Sequence, residues 1–323
     1  MRASSKLHSL QALRAIAAWL VVIDHAQIEL SHNDPQDWVT HVGWTLGSLG
    51  VSVFFVISGF IMAHICWDSF GHPAAAADFL KRRLIRIVPL YWLATIAALA
   101  YHRVSSTHGA HAGWSDIAHS LAFIPYANEE GAWAPILPQG WTLGYEMMFY
   151  GVFAVGLLLP RGTALPAIGA ALAGLVLVGP LQQDATVAYL ASPIVLWFLA
   201  GMALAVAWHR LTLMEPVWIA KPARLLEPFG NASYSTYLSH GVVLTMLLRA
   251  WTMFVGPPSI WLVPASLLAA TAVGWATHMA VERPLLRFAI GIWKSGPRIP
   301  VSLKAPAGAP TPYSPRPPSA PSR

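Results

Sequence analysis

"LRAIAAWLVVIDHAQIEL", residues 13–30, has the length and apolar content of a membrane-crossing helix. It nevertheless carries Arg14 at its start and His25 eleven residues further on. At 3.6 residues per turn, positions eleven apart differ by about 20° in azimuth and about 16 Å in height. The two side chains therefore share one helix face, with Arg14 at one edge of the bilayer and His25 near or past its middle. Two readings of His25 stand: an interhelical hydrogen bond that holds a bundle together, or a functional group at membrane depth. Asp24, next to it, lies about 100° round the helix, so a pairing with His25 does not follow from adjacency.

The rest of the chain supports the membrane reading. Of its 323 residues 56% are hydrophobic and only 11% charged, far from the soluble average of about a quarter charged. Mean hydropathy is +0.53. Runs near residues 10–30, 45–66, 86–102, 142–160, 163–181, 187–208, 233–252 and 259–280 are each long enough to cross about 30 Å of hydrocarbon. The first run lacks a small-residue cleavage pattern and is expected to stay in the mature chain. The expected fold is therefore an all-α, polytopic transmembrane helical bundle of about eight spans.

Orientation follows from the basic residues, since positive loops stay cytoplasmic. With both termini inside, Lys6, Arg14, the "KRRLIR" cluster, Arg161, Arg210, Lys221, Arg224, Arg283 and Arg287 all fall on the cytoplasmic side, and only Arg103 and Arg249 fall outside. The +6 formal charge thus records topology and gives no support for nucleic-acid binding. It also favours contact with anionic membrane lipid. Localisation in an inner (plasma) membrane as a multi-pass protein is the corresponding expectation. Residues 1–298 read as one membrane domain, and 299–323, rich in Pro, Ala and Ser, as a disordered cytoplasmic tail. The long outer loop, about residues 103–141, reads as an irregular lid or re-entrant segment. Cys66 is alone, which excludes an intrachain disulfide and a thiolate metal cluster.

Several polar residues are left over by that reading. In "VFFVISGFIM", Ser58 and Gly59 serve either close helix packing or a ligand channel. Arg83 and Arg86, three apart on a helix, serve either as topological anchors or as a convergent grip on phosphate, which planar guanidinium forks suit. Pro89 reads as tolerable near a helix start. Glu146, in "GWTLGYEMMFY", sits about one turn inside a span with no Lys or Arg close in sequence, so its charge must be paired, hydrogen-bonded or wetted. Its height matches that of His25 to within a turn or two. In "FGNASYSTYLSH", Gly230, Asn231 and Ser233 suit a turn and cap. Tyr234, Tyr237 and His240 then enter the membrane as anchors, interhelical hydrogen-bonding groups or substrate contacts. Glu282 and Arg283 read as a terminal cap or ion pair. Walker loops, dinucleotide fingerprints and zinc-spaced sets are absent; His108 and His111 in a loop are weak ligands, and no metal is expected.

Together these motifs resemble the integral-membrane acyltransferase family 3, in particular its exopolysaccharide production members. The likeness runs over roughly residues 8–287 and is carried by Arg14 with His25, "FFVISGF" at 54–60, "RRLIRIVPLYW" at 82–92, "WTLGYEMMFY" at 141–150, "NASYSTYLSH" at 231–240 and "ERP" at 282–284. It implies transfer of an acyl group, acetyl first and succinyl second, from cytoplasmic acyl-CoA to a sugar hydroxyl of a glycan or lipid-linked saccharide, alongside polysaccharide-assembly proteins. It also implies that Arg14 and His25 are essential, that Arg14, Arg83 and Arg86 stand at the donor site, and that Glu146 acts with His25 in catalysis. Ser58, Tyr234 and His240 are expected to line the substrate channel. A covalent acyl-histidine and direct transfer both stay open. Members usually have ten spans, and "HRLTLMEPVWIAKPAR" is too short for the extra pair. The competing class is a non-enzymatic transporter or glycan-assembly partner.

Overall fold

A computed structural model describes residues 7–31, 37–105, 112–127, 133 and 135–295. Among these the chain is built of α-helices joined by short 3-10 and π segments, with no strand. The helices are α1 (His8–Ser31), α2 (Asp37–Ile65), α3 (Pro73–Ser105), α4 (Trp114–Leu121), α5 (Trp141–Gly156), α6 (Arg161–Val178), α7 (Ala185–Leu190), α8 (Leu196–Arg210), α9 (Val217–Phe254), α10 (Leu262–Thr277) and α11 (Arg283–Ser295). Five stretches are long and apolar enough to cross a bilayer: Thr45–Ile65, Pro73–Arg103, Arg161–Val178, Pro193–Arg210 and Leu262–Trp293. The protein is accordingly a multi-pass membrane protein.

Helices α1, α5 and α9 fall short of that apolar standard, and the reason bears on function. Helix α5 has 16 residues, and α1 and α9 are diluted by the ionisable and hydroxyl-bearing residues singled out above. Helix α1 packs against α2, α9 and α10, and α2 packs in turn on α8. The α2/α8 contact is a reciprocal pair of glycines: a Cβ on Gly59 would overlap the Phe198 carbonyl, and one on Gly201 the Val56 carbonyl. Gly230 lets α9 approach the Gln11 carbonyl of α1 just as closely. Backbones this near gain dispersion and leave no room for larger side chains.

Four expectations are corrected. Pro89 lies deep inside α3, which starts at Pro73, so "KRRLIR" belongs to a continuous helix and precedes no helix start. Residues 229–240 form no turn or cap, because α9 runs unbroken for 38 residues through Pro222 and Pro228. The span expected at 187–208 is divided: α7 ends at Leu190, and Ser192 restarts the chain by accepting from the Ile194 amide. Glu282 is no terminal cap. It lies 1% exposed in the π turn His278–Glu282, which joins α10 to α11, and it accepts from Ser235 Oγ at 2.7 Å with His278 Nδ1 at 2.8 Å. The proposed tail, His108 and His111 lie outside the described residues.

Outside the membrane segments, Glu215 ties the loop before α9 to the start of α1. Its carboxylate accepts from the Ser9 amide at 2.6 Å and the His8 amide at 3.1 Å. Burial works against its charge, but these hydrogen bonds outweigh it and hold the carboxyl below its usual range. A carboxyl depressed in the folded chain stabilises the fold above the unfolded value, about 4.3, and loses that contribution as pH falls through the folded value. The melting temperature of the wild type is thus expected to fall more steeply in acid than that of Glu215→Gln, and parallel acid profiles would contradict the contact.

Candidate active site

Five helices bring the predicted residues into one inner chamber. Arg14 of α1, Ser58 of α2, Arg83 and Arg86 of α3, Glu146 of α5 and Tyr234 of α9 all line a cavity of about 110 Å³. Ser58 donates to Glu146 Oε1 at 3.1 Å, and the Tyr150 hydroxyl donates to the same oxygen. The sequence alternatives at Ser58-Gly59 therefore divide residue by residue: Gly59 packs and Ser58 lines the chamber. Tyr234 donates to the Ile87 carbonyl at 2.9 Å, fastening α9 to α3 at the chamber wall. Arg83 stands over the Phe79 and Tyr150 rings at 5.8 and 6.0 Å, and its Nε is buried without a hydrogen-bond partner. Among the described residues neither Arg14 nor Arg86 pairs with a carboxylate within 4.0 Å. Buried or half-buried guanidinium groups left unpaired in a membrane protein are costly, and an anionic ligand offsets that cost.

His25 faces a different cavity, of about 570 Å³, which it lines with Asp24, Gln139, Trp141, Tyr237 and His240. Its Nδ1 lies 2.9 Å from the Val21 carbonyl oxygen. A carbonyl only accepts, so the neutral ring carries its proton on Nδ1 and offers the Nε2 lone pair. The side chain is 46% exposed, into the cavity, while Asp24 beneath it is 4% exposed with Oδ2 3.5 Å from Nδ1. Gly47 leaves room for that carboxylate, since a Cβ there would overlap it. Adjacency thus does bring Asp24 to His25. His240, fully buried, meets the His25 ring edge-on at 4.9 Å between centroids. It repeats the same tautomer, with Nδ1 2.6 Å from the Tyr237 carbonyl and Nε2 buried without a partner.

The expected association of Glu146 with His25 is not formed. Glu146 is held by Ser58 and Tyr150 in the arginine chamber, and the carboxylate beside His25 is Asp24. The two cavities nevertheless adjoin, since Val51 and Tyr237 line both. Tyr237 is fixed there by a 2.9 Å hydrogen bond with Thr142 Oγ1 and a longer one to the Gln139 carbonyl. Gln139, 7% exposed with Oε1 unpartnered, escaped the sequence reading. Its only signal was a polar residue between apolar ones in "ILPQGW".

The site is thus an apolar helical bundle with an arginine-lined chamber and an adjoining histidine-lined cavity. The chain belongs to the acyltransferase 3 family, whose acyltransferase domain it matches over residues 7–217. It is 30% identical over 293 residues to the exopolysaccharide production protein ExoZ of Rhizobium meliloti (strain 1021), covering 76% of this chain and 91% of that one. Similarity extends to nodulation protein 10 of Rhizobium leguminosarum bv. viciae, 23% identical with 88% and 94% covered. The acyltransferase MdmB of Streptomyces mycarofaciens is 29% identical over 48% of this chain and 40% of its own length. No solved structure matches.

Proposed function

We propose that the chain is an O-acyltransferase of the inner (plasma) membrane that moves an acetyl or succinyl group from cytoplasmic acyl-CoA to a hydroxyl of an exopolysaccharide, lipopolysaccharide or lipid-linked saccharide. The observation that carries this reading is the meeting of the two cavities at Val51 and Tyr237, with unpaired arginines in one and the His25 lone pair in the other. Arg14 and His25, about 16 Å apart along α1, match the reach of a pantetheine arm between nucleotide and thioester. Phosphates held by the arginines leave the acyl carbonyl at the His25 end. The exopolysaccharide role in the name of one relative supports a saccharide acceptor, and polysaccharide-assembly proteins are the corresponding partners.

The reaction then runs through His25. Nε2 takes the proton of the acceptor hydroxyl as its oxygen attacks the thioester carbonyl. Asp24 stabilises the imidazolium so formed. Collapse of the tetrahedral intermediate breaks the carbon–sulfur bond, and the imidazolium returns its proton to the departing thiolate. Glu146 limits the positive charge of the chamber and orders its wall through Ser58 and Tyr150. Since Glu146 and His25 share no partner, the losses of Glu146→Gln and His25→Gln are expected to add in free energy to within about 0.5 kcal/mol. A double variant much less impaired than that sum would show that the two act as one unit.

On this reading α1, α5 and α9 join the five apolar stretches as spans, eight in all, and the positive-inside rule puts both termini inside. Reporter fusions at positions 75, 161 and 215 are expected inside, and those at 35, 125 and 255 outside. The activity is tested with membranes containing the chain, radiolabelled acetyl-CoA and succinyl-CoA, and the host glycan fraction. Label is expected in saccharide or lipid-linked saccharide. Transfer from neither donor would favour the non-enzymatic alternative.

A further inference from the structure

A second basic cavity opens next to the arginine chamber, and the mechanism above does not use it. It is a cleft of about 510 Å³ between α1, α3, α9 and the α10–α11 junction, and it shares Arg14 and Arg86 with the chamber while adding Arg224 and Arg283. Among the described residues none of these four guanidinium groups is paired with a carboxylate; the hydrogen bond of Arg283 goes to the Met279 sulfur at 3.0 Å. The two carboxylates lining the cleft are already engaged. Glu227 lies 2.7 Å from His8 Nδ1, and Glu282 is held by Ser235 and His278 in the π turn. Such π turns are frequent at functional sites. The cleft therefore sets four guanidinium groups against two carboxylates and is net positive.

We infer that this cleft takes the nucleotide end of the acyl-CoA donor, with Arg224 and Arg283 as anchors for its phosphate groups and Arg14 and Arg86 at the throat through which the arm enters the chamber. The inference rests on the acyl-CoA reading above and extends the donor site outward from Arg83, which lines the inner chamber and keeps the diphosphate end of the arm. Phosphate alone is common to nucleotides and lipid head groups, and two further observations favour the nucleotide. Arg14 and Arg86 line both the cleft and the chamber, so an arm attached to a nucleotide in the cleft has a continuous path inward. Trp275, 47% exposed, lines the cleft and supplies an aromatic surface for a purine. Fixed guanidinium forks suit phosphate oxygens better than lysines do.

The test is direct binding to the full chain in phosphatidylcholine nanodiscs, with coenzyme A, adenosine 3′,5′-bisphosphate and pantetheine titrated separately. Because Arg224 and Arg283 are exposed, replacing both with Gln should leave insertion intact. The double variant is expected to bind coenzyme A and the bisphosphate at least about tenfold more weakly, as expected for losing charge-assisted hydrogen bonds, and pantetheine unchanged. Wild-type affinity of the double variant for both nucleotides would overturn the site while leaving the donor reading in place. Absence of coenzyme A binding to the wild-type chain would overturn the donor reading and the site with it. If phosphatidylglycerol, replacing part of the phosphatidylcholine, abolishes bisphosphate binding, the cleft is a lipid head-group site and the inference fails.

Discussion

His25→Ala and His25→Gln are expected to insert normally and to lose acyl transfer by about 100-fold to 10,000-fold, the usual contribution of a general base. The imidazole adds little to the hydrophobic transfer of α1, so insertion is insensitive to it. It is placed for proton transfer: the Val21 carbonyl fixes the tautomer, Asp24 Oδ2 stands 3.5 Å from Nδ1, and the ring edge faces a cavity large enough for a sugar. Glutamine keeps hydrogen bonding of similar reach and lacks basicity, so it separates catalysis from bundle packing. A His25→Gln enzyme with near-wild-type transfer per inserted molecule would remove the general base from the mechanism.

Replacement of Arg83 and Arg86 together with Gln is expected to raise the donor KM on the order of 100-fold, given about 1.5–3 kcal/mol for each charge-assisted hydrogen bond lost, and to change the rate at saturating donor much less. Their distance from the thioester end predicts that split. Lysines restore charge without the bidentate fork, so the Lys pair is expected to recover affinity only in part. Normal insertion with unchanged donor KM would make both residues topological anchors.

Much of this site was legible because its residues fall at helical spacings. The interval from Arg14 to His25, and that from Arg83 to Arg86, fix shared faces from the helical period alone. Glu146 was legible as an unexplained charge in an apolar run. Its partner was not: Ser58 lies on another helix 88 positions away, and matching heights suggested His25 instead. Azimuth alone leaves the pairing of Asp24 with His25 open, but the side chains bend to within 3.5 Å and Gly47 of α2 leaves the space. The interior of helix α9 reads as a turn and cap because Gly230, Asn231 and Ser233 carry that local signature. Packing of Gly230 against the Gln11 carbonyl overrides that propensity. Arg224 and Arg283 were absorbed by the positive-inside rule, which places a charge on a side of the membrane and says nothing about the cavity it lines.

In the proposed reaction, donor and base reach one bundle from opposite sides. The most direct measurement uses sealed vesicles of defined orientation, radiolabelled acetyl-CoA supplied on one face only, and acceptor saccharide accessible from the other. Label is expected to reach the acceptor when the donor is on the face carrying Arg83, Arg86 and Arg224, and to stay at background when the donor is on the His25 face. Equal transfer from a donor confined to the His25 face would contradict the path from the arginine chamber past Val51 and Tyr237.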